Sequence, residues 1–483
     1  MKLGIIPYQK NADFVYKDEI VEPRPQLPIL HETHQVKNEQ LQTNIEFVRP
    51  EDIPLNKRNF IYHPCAANPL FTELGYSSTE YPFEKPGMNI SDRSDNMSFS
   101  LNSNSTVSVH ESLGWRTSKC DIFIKEGTCY WEVEVIKGGL PENIDINSSL
   151  QRKKDSLNST PHLRVGISRR EAALESPVGF DSYGYSVRDT SLESIHEGKI
   201  SQVLNNTNSV KANDRLGFLL KLPTLESQIE QANEYIQKRI DLLIENSHQI
   251  DGIDGNNDES TINPSKKRTK LAPTNNDFER ALLEDIDLRN VIRDKIPIRY
   301  KNQLFFESTD YVKTTKPEYY SADKKETKDY YTLKKSKLSI YLNGEYLGNA
   351  FEDLKQFLPP FSELQYNEKF YFGYWKNGEA LEEKEQENIT GNSGISKKKC
   401  LILRNKYVNN NQLGYYPTIS CFNGGTAEII TRIEDLKYFD KIRTETQAPV
   451  KTLDVLYMEK IAEDIVWDIV DEIEEESNTN KLN

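Results

Sequence analysis

Seven histidines are spread along the chain, His31, His34, His63, His110, His162, His196 and His248. The closest pair lies in HETH. Its spacing is three, in a Pro-punctuated stretch, whereas a metalloprotease helix needs two histidines four apart. The five cysteines, Cys65, Cys120, Cys129, Cys400 and Cys421, are scattered, odd in number and without a CxxC pair. That is neither a disulfide framework nor a zinc site. No GxSxG elbow, phosphate-binding loop or dinucleotide fingerprint occurs. Carboxylates abound, but in polar stretches where water solvates them. A glycosidase would need two aimed into a cleft. The side chains predict no enzyme, no metal and no cofactor.

Binding chemistry is better represented. In TLDVLYMEKIAEDIVWDIVDEI (residues 452–473) Leu453, Leu456, Tyr457, Ile461, Ile465, Ile469 and Ile473 recur every three or four residues. This is one face of an amphipathic helix, widened by Met458, Ala462, Val466 and Val470. Asp454, Glu459, Lys460, Glu463, Asp468 and Glu472 fall on the opposite side. Twenty residues of helix span roughly 30 Å. At about 1.5–3 kcal/mol per large buried side chain, seven anchors suffice for micromolar to nanomolar binding in a groove. The alternative is a helix packed on its own domain. Against it stand an acidic tail (Glu474–Glu476) and the lack of a second amphipathic helix beside it.

Short basic runs, Arg152–Lys154, Lys266–Arg268, Lys334–Lys337 and Lys397–Lys399, suit nucleic-acid phosphates without reading sequence, or are solvated loops. PSKKRTKLAP holds Lys266, Lys267, Arg268 and Lys270 after a proline. It reads either as a nuclear import signal or as a solubilising lysine run.

The elements that must position these residues are mostly strands. GTCYWEVEVI (127–136) alternates β-formers and ends at a Gly pair. LRVGIS (163–168), DRLGFLLKL (214–222), FYFGYW (370–375) and YYPTISCF (415–422) follow the same pattern. KLSIYLNGEYLGNAF (337–351) is a hairpin whose Asn343-Gly344 suits a type I′ turn. Between them lie polar insertions at about 137–161, 223–296 and 376–412. The second opens with a helical stripe: Leu225, Ile229, Ala232, Ile236, Ile240 and Leu243. Residues 1–58 read as a flexible arm. The expectation is therefore all-β: an antiparallel bent β-sandwich over 59–440 with long inserted loops and one inserted helix, then a C-terminal amphipathic helix over 451–476.

Composition agrees. The chain has 483 residues, 36% hydrophobic and 28% charged, with a net charge of −14. That leaves room for a large core and much solvated linker, and argues against nucleic-acid binding over the whole surface. The residues after Met1 lack a signal-peptide core, and no run of 18 apolar residues occurs, so no membrane partner is expected.

GTCYWEVEV, LRVGIS, SPVGFDSYGYSVRD, DRLGFLL and LSIYLNGEYLG, in this order over about 110–430, resemble the signature of a SPRY domain. That fold is a bent β-sandwich used for protein recognition. PIRYKNQLFFES, YYPTISCFNGGTAEI and the terminal TLDVLYMEKIAEDIV are similar, more narrowly, to the Bre- or Ash-type SPRY subunit of COMPASS, which methylates histone H3 lysine 4. The resemblance implies a nuclear, non-catalytic scaffold. Its helix would dock on a small Dpy/Sdc-type dimer, and a separate SET-domain methyltransferase would do the chemistry. It also implies a pocket for an acidic segment of a WD-repeat subunit, built here from Trp115, Arg164, Pro177, Phe180 and Arg188. Relatives often have Tyr at 115 and 180, so two hydroxyls are missing. The zinc finger and winged helix of animal relatives have no counterpart.

The physics of that pocket is sound, since guanidinium forks suit carboxylates and aromatics give an apolar floor. The alternatives are that Arg164 pairs with a neighbouring acid and that Trp115 is core. Competing functions are a signalling anchor for a kinase-regulatory docking dimer and a substrate receptor of a ubiquitin ligase. The latter lacks the expected zinc array or ligase-binding box.

Overall fold

The computed structural model describes residues 15–17, 20–22, 28–38, 43–56, 60–101, 103–139, 160–204, 210–253, 295–309, 332–358, 410–446 and 448–482, with short pieces between 280 and 293. It divides into two compact units. The larger comprises 1–224, 293–355 and 412–483, and the smaller 225–292 and 356–411.

The larger unit is built from antiparallel sheets. One has ten strands. Its path runs β20 (Glu345–Glu352), β19 (Lys337–Leu342), β16 (Arg215–Leu222), β11 (Gly127–Lys137), β22 (Thr426–Ile430), β9 (Ser103–Ser108), β8 (Ser98–Ser100), β4 (Thr43–Pro50) and β3 (Leu30–Asn38). The two-residue β23 (Lys451–Thr452) adds to β11 in parallel. The second sheet runs β15 (Lys199–Ser201), β14 (Ser194–His196), β13 (Gly184–Arg188), β12 (His162–Ser168), β21 (Tyr416–Phe422), β10 (Arg116–Cys120) and β7 (Met88–Arg93). A four-stranded sheet orders β17 (Lys295–Tyr300), β18 (Gln303–Thr309), β5 (Phe60–Ala67) and β6 (Tyr76–Ser78). The hairpin β1 (Val15–Lys17)–β2 (Ile20–Glu22) pairs only with itself.

The two large sheets face each other as a sandwich: the ring of Tyr185 on β13 meets Phe351 on β20 at 5.0 Å. Along β11, alternate residues serve different layers. Trp131 points into the sandwich and stacks on Phe218 at 5.5 Å. Tyr130 lies on the other side, where Leu436, Phe439 and Ile442 cover it. That cover is a strap formed by a 3-10 turn (Ile433–Asp435), the short helix α2 (Phe439–Thr446) and β23. The fully buried Glu132 fastens it, accepting the N–H groups of Lys437 (3.2 Å) and Tyr438 (2.8 Å) and pairing with Arg215. The strap delivers the chain to the last helix, α3 (Leu453–Leu482).

The expected strands at 127–136, 163–168, 214–222, 337–351 and 415–422 correspond to β11, β12, β16, β19–β20 and β21. Asn343 and Gly344 both have positive φ (50° and 80°), as a type I′ turn requires, and a Cβ on Gly344 would run into the Tyr438 ring. Residues 30–50 correct the expected flexible arm. They form the hairpin β3–β4, which joins the ten-stranded sheet through Phe47 and Val48. Those two residues are buried, which explains why this polar segment orders. FYFGYW lies outside the described residues, as do the import-type cluster Lys266–Lys270 and the runs 152–154 and 397–399.

In the smaller unit the described element is α1 (Leu225–Ile253), with Ala232, Ile236, Ile240 and Leu243 buried on one stripe.

Candidate partner-binding sites

The first site lies on the seven-stranded sheet. Pairing of β12 with β13 sets Arg164 opposite Arg188, and pairing with β21 sets His162 opposite Phe422. Trp115 precedes β10, whose Arg116 lies opposite Cys421, and so comes beside Phe422. The Trp115 and Phe422 rings are 5.3 Å apart, and the Arg164 guanidinium lies 5.1 Å over Trp115. With His162, Leu163 and Asp189 these residues line a cleft of about 180 Å³. Trp115 is half-buried, one wall of the cleft and not part of the core.

The charge in this cleft is unbalanced. Arg188 pairs with Glu193 at 2.9 Å. Asp189 is occupied by the N–H groups of Gly139 (2.7 Å) and Leu163 (2.8 Å). Arg164 has no carboxylate at salt-bridge distance among the described residues, and its Nε is buried without a hydrogen-bond partner. Burial, and then the neighbouring Arg188, push its pKa down to about 10. A buried, unpaired donor of this kind is costly. An incoming carboxylate would relieve it, with Trp115 and Phe422 supplying apolar surface.

Trp115, Arg164 and Arg188 are thus brought together. Pro177 and Phe180 are not among the lining residues. They sit in the β12–β13 connection, where the Phe180 N–H donates to the Pro177 carbonyl at 3.1 Å. Phe422, His162 and Asp189 were missed. Phe422 was legible only as the end of a strand, because the pairing that aims it joins segments some 260 residues apart.

The second site is α3. The stripe of Lys460, Asp464, Asp468 and Glu472 faces the chain's own domain, while Glu459 and Glu474–Glu476 are exposed. Asp468, 3% exposed, accepts the Ser78 N–H at 2.6 Å and the Lys295 ammonium at 2.9 Å. Ser78 belongs to β6, an edge strand, so the carboxylate caps an otherwise open edge. One turn on, Glu472 accepts three consecutive N–H groups, from Thr72, Glu73 (3.0 Å) and Leu74 (2.8 Å). Burial opposes its charge, yet these donors hold its carboxyl below the usual range. Lys460 bonds Glu80 at 2.7 Å and Asp464 at 3.1 Å. Burial disfavours its charge too, but the two acids keep its pKa above normal. Arg293 lies 5.5 Å over the Trp467 ring.

The outward side is apolar. Val455, Met458, Ile465, Val466, Ile469 and Ile473 are 41–63% exposed, and with the exposed Ala462 they recur at steps of three and four as one stripe. Of the expected anchors, Ile465, Ile469 and Ile473 lie on it. Leu456, Tyr457 and Ile461 are half-buried. Leu453 is a correction: it is fully buried and fixes the start of the helix in its own domain. Val455, Met458 and Val466 complete the outer stripe. The missed signal was the four-residue recurrence of Lys460, Asp464, Asp468 and Glu472, a second stripe with its own partner.

Among the described residues no group of three His, Cys, Asp or Glu side chains is placed to hold a metal, and no helix is long and apolar enough to cross a membrane. No protein-family model matches the chain. COMPASS component BRE2 of Saccharomyces cerevisiae is 55% identical over 502 residues, spanning 98% of this chain and 99% of that protein. The chain belongs to the BRE2 family. More distant members of the group are COMPASS component cclA of Aspergillus fumigatus, 27% identical over 89% of this chain and 60% of that one, and Set1 complex component ash2 of Schizosaccharomyces pombe, 26% identical over 97% and 52%. The SPRY domain of human HERC1 overlaps 71% of this chain and 96% of its own length, at 9% identity and a TM-score of 0.27.

Proposed function

We propose that the chain is a nuclear, non-catalytic scaffold subunit of a histone H3 lysine-4 methyltransferase complex. Near-full-length kinship with a COMPASS component carries this reading. The cleft around Arg164 takes an acidic segment of a WD-repeat subunit: the carboxylate meets the unpaired guanidinium, and an apolar neighbour lies on Trp115 and Phe422. The outer stripe of α3 takes a small Dpy/Sdc-type dimer, a helical module whose groove matches anchors at three- and four-residue steps. Methyl transfer belongs to a SET-domain subunit. This chain favours that subunit's active conformation, a shift of population and not a chemical step. The exposed Lys334 and Lys335 suit a nucleosomal phosphate contact.

The test is reconstitution. SET-domain and WD-repeat subunits are assayed on histone H3 with and without this chain. The expected result is faster methylation with the chain, no activity from the chain alone, and loss of the stimulation with Arg164→Glu. An unchanged rate on adding the chain would overturn the reading.

A further inference from the structure

A helix that keeps its apolar face open for a partner cannot be fixed to its own domain by burying that face. Beyond the buried Leu453 at its start, α3 is fixed through its polar edge. Lys460 is tied to Glu80, Asp468 to Ser78 and Lys295, and Glu472 to the N–H groups of residues 72–74, with Lys125 on Glu463 and Arg293 on Asp464 beside them. From Lys460 to Glu472 this is about 18 Å of helix axis. The ties are directional, and the three donors on Glu472 fix the rotation of the helix as well as its position.

We infer that Lys460, Asp468 and Glu472 are positioning residues that set the orientation in which the helix presents its bound partner to the rest of the complex. They touch the chain's own sheet and not the outer stripe, so they add little to affinity. The inference rests on the reading of the outer stripe as the docking site of a helical dimer.

The experiment uses the full chain in the reconstituted complex, with Asp468→Ala and Glu472→Ala together. Spin labels at Asn478→Cys and Lys199→Cys, both exposed positions, report the helix-to-sandwich distance. The expected result has three parts: a dissociation constant for the small dimer within about threefold of the parent, a broadened distance distribution, and slower methylation. A second variant, Asp468→Ala with Thr72→Cys and Glu472→Cys, is bridged by a short dibromide, each cysteine thiolate displacing one bromide. Thr72 Oγ1 lies 3.0 Å from a Glu472 carboxylate oxygen, so the bridge re-ties the helix without the carboxylates. Bridging, in a chain without the spin-label cysteines, should restore the methylation rate, which no loss of fold would allow. An unchanged distribution, or a broadened one with full methylation, overturns the inference. If the untied variant loses the dimer while Ile465→Asp with Ile469→Asp keeps it, the docking-site reading itself fails.

Discussion

The two faces of α3 make opposite predictions for equally conservative changes. Ile465 and Ile469 are 54% and 46% exposed, so truncating them removes little of the chain's own packing. Ile465→Ala with Ile469→Ala should leave stability within about 0.5 kcal/mol, the usual range for surface changes. Complete burial of each side chain is worth about 1.5–3 kcal/mol, and roughly half of that surface remains to be covered by a partner. The pair therefore contributes about 1.5–3 kcal/mol to docking, and the double variant should bind the small dimer about 10- to 100-fold more weakly. Leu453→Ala is the control. Leu453 is fully buried, so truncation should cost about 2–5 kcal/mol of folding stability. Titration calorimetry against the dimer and thermal unfolding of the free chain read the two quantities separately. Affinity unchanged in the double variant, or a loss of stability as large as that of Leu453→Ala, would refute the assignment of the faces.

Further outcomes are expected elsewhere. Arg164→Ala should cost little stability, because it removes a buried donor that has no partner, while weakening the acidic segment by about 1.5–3 kcal/mol in a salt-dependent manner; a peptide titration at two ionic strengths checks both. Glu132→Ala should destabilise by about 3–5 kcal/mol, since it leaves two strap N–H groups without their acceptor and takes from Arg215 one of its two carboxylates, Glu134 remaining; urea unfolding reads this. Burial, with Glu80 next, pushes the Asp121 carboxyl up to about 7. The folded chain then holds a proton that the unfolded chain releases near pH 4, so this group lowers stability as pH rises from about 4 to 7 and has no further effect above. Asp121→Asn removes that penalty, so its urea midpoint should rise relative to the parent's between about pH 5 and pH 7.5, and an equal difference at both would contradict it.

Most of the sandwich was legible because its strands carry β-formers between turn signals, and Asn343-Gly344 specified its own turn. The hairpin over residues 30–50 was not, because its order comes from pairing with Ser100 and Phe99, which no local pattern announces. In the cleft, Trp115, Arg164 and Arg188 came from the family resemblance, supported by the fit of guanidinium groups to carboxylates. Phe422 and His162 needed the strand register, and Pro177 and Phe180 were placed by motif alone. On α3 the periodicity was legible, but what its charged side meets was not: Asp468 and Glu472 cap the β6 edge and the 72–74 loop, segments about 400 residues away in sequence, and the apolar side is left exposed.

The most direct measurement is affinity purification of the tagged chain from nuclear extract, read by quantitative mass spectrometry, with Arg164→Glu and with Ile465→Asp plus Ile469→Asp. Truncation before α3 is unsuitable because it would remove the buried Leu453. The account predicts that the parent chain brings down a SET-domain methyltransferase with WD-repeat subunits and a small dimer. The stripe variant should lose only the dimer, and the cleft variant should lose the WD-repeat subunit that carries the acidic segment. Recovery of kinase-regulatory subunits or a ubiquitin ligase in place of the methyltransferase, or loss of every partner together in both variants, would contradict a scaffold with two separate docking sites.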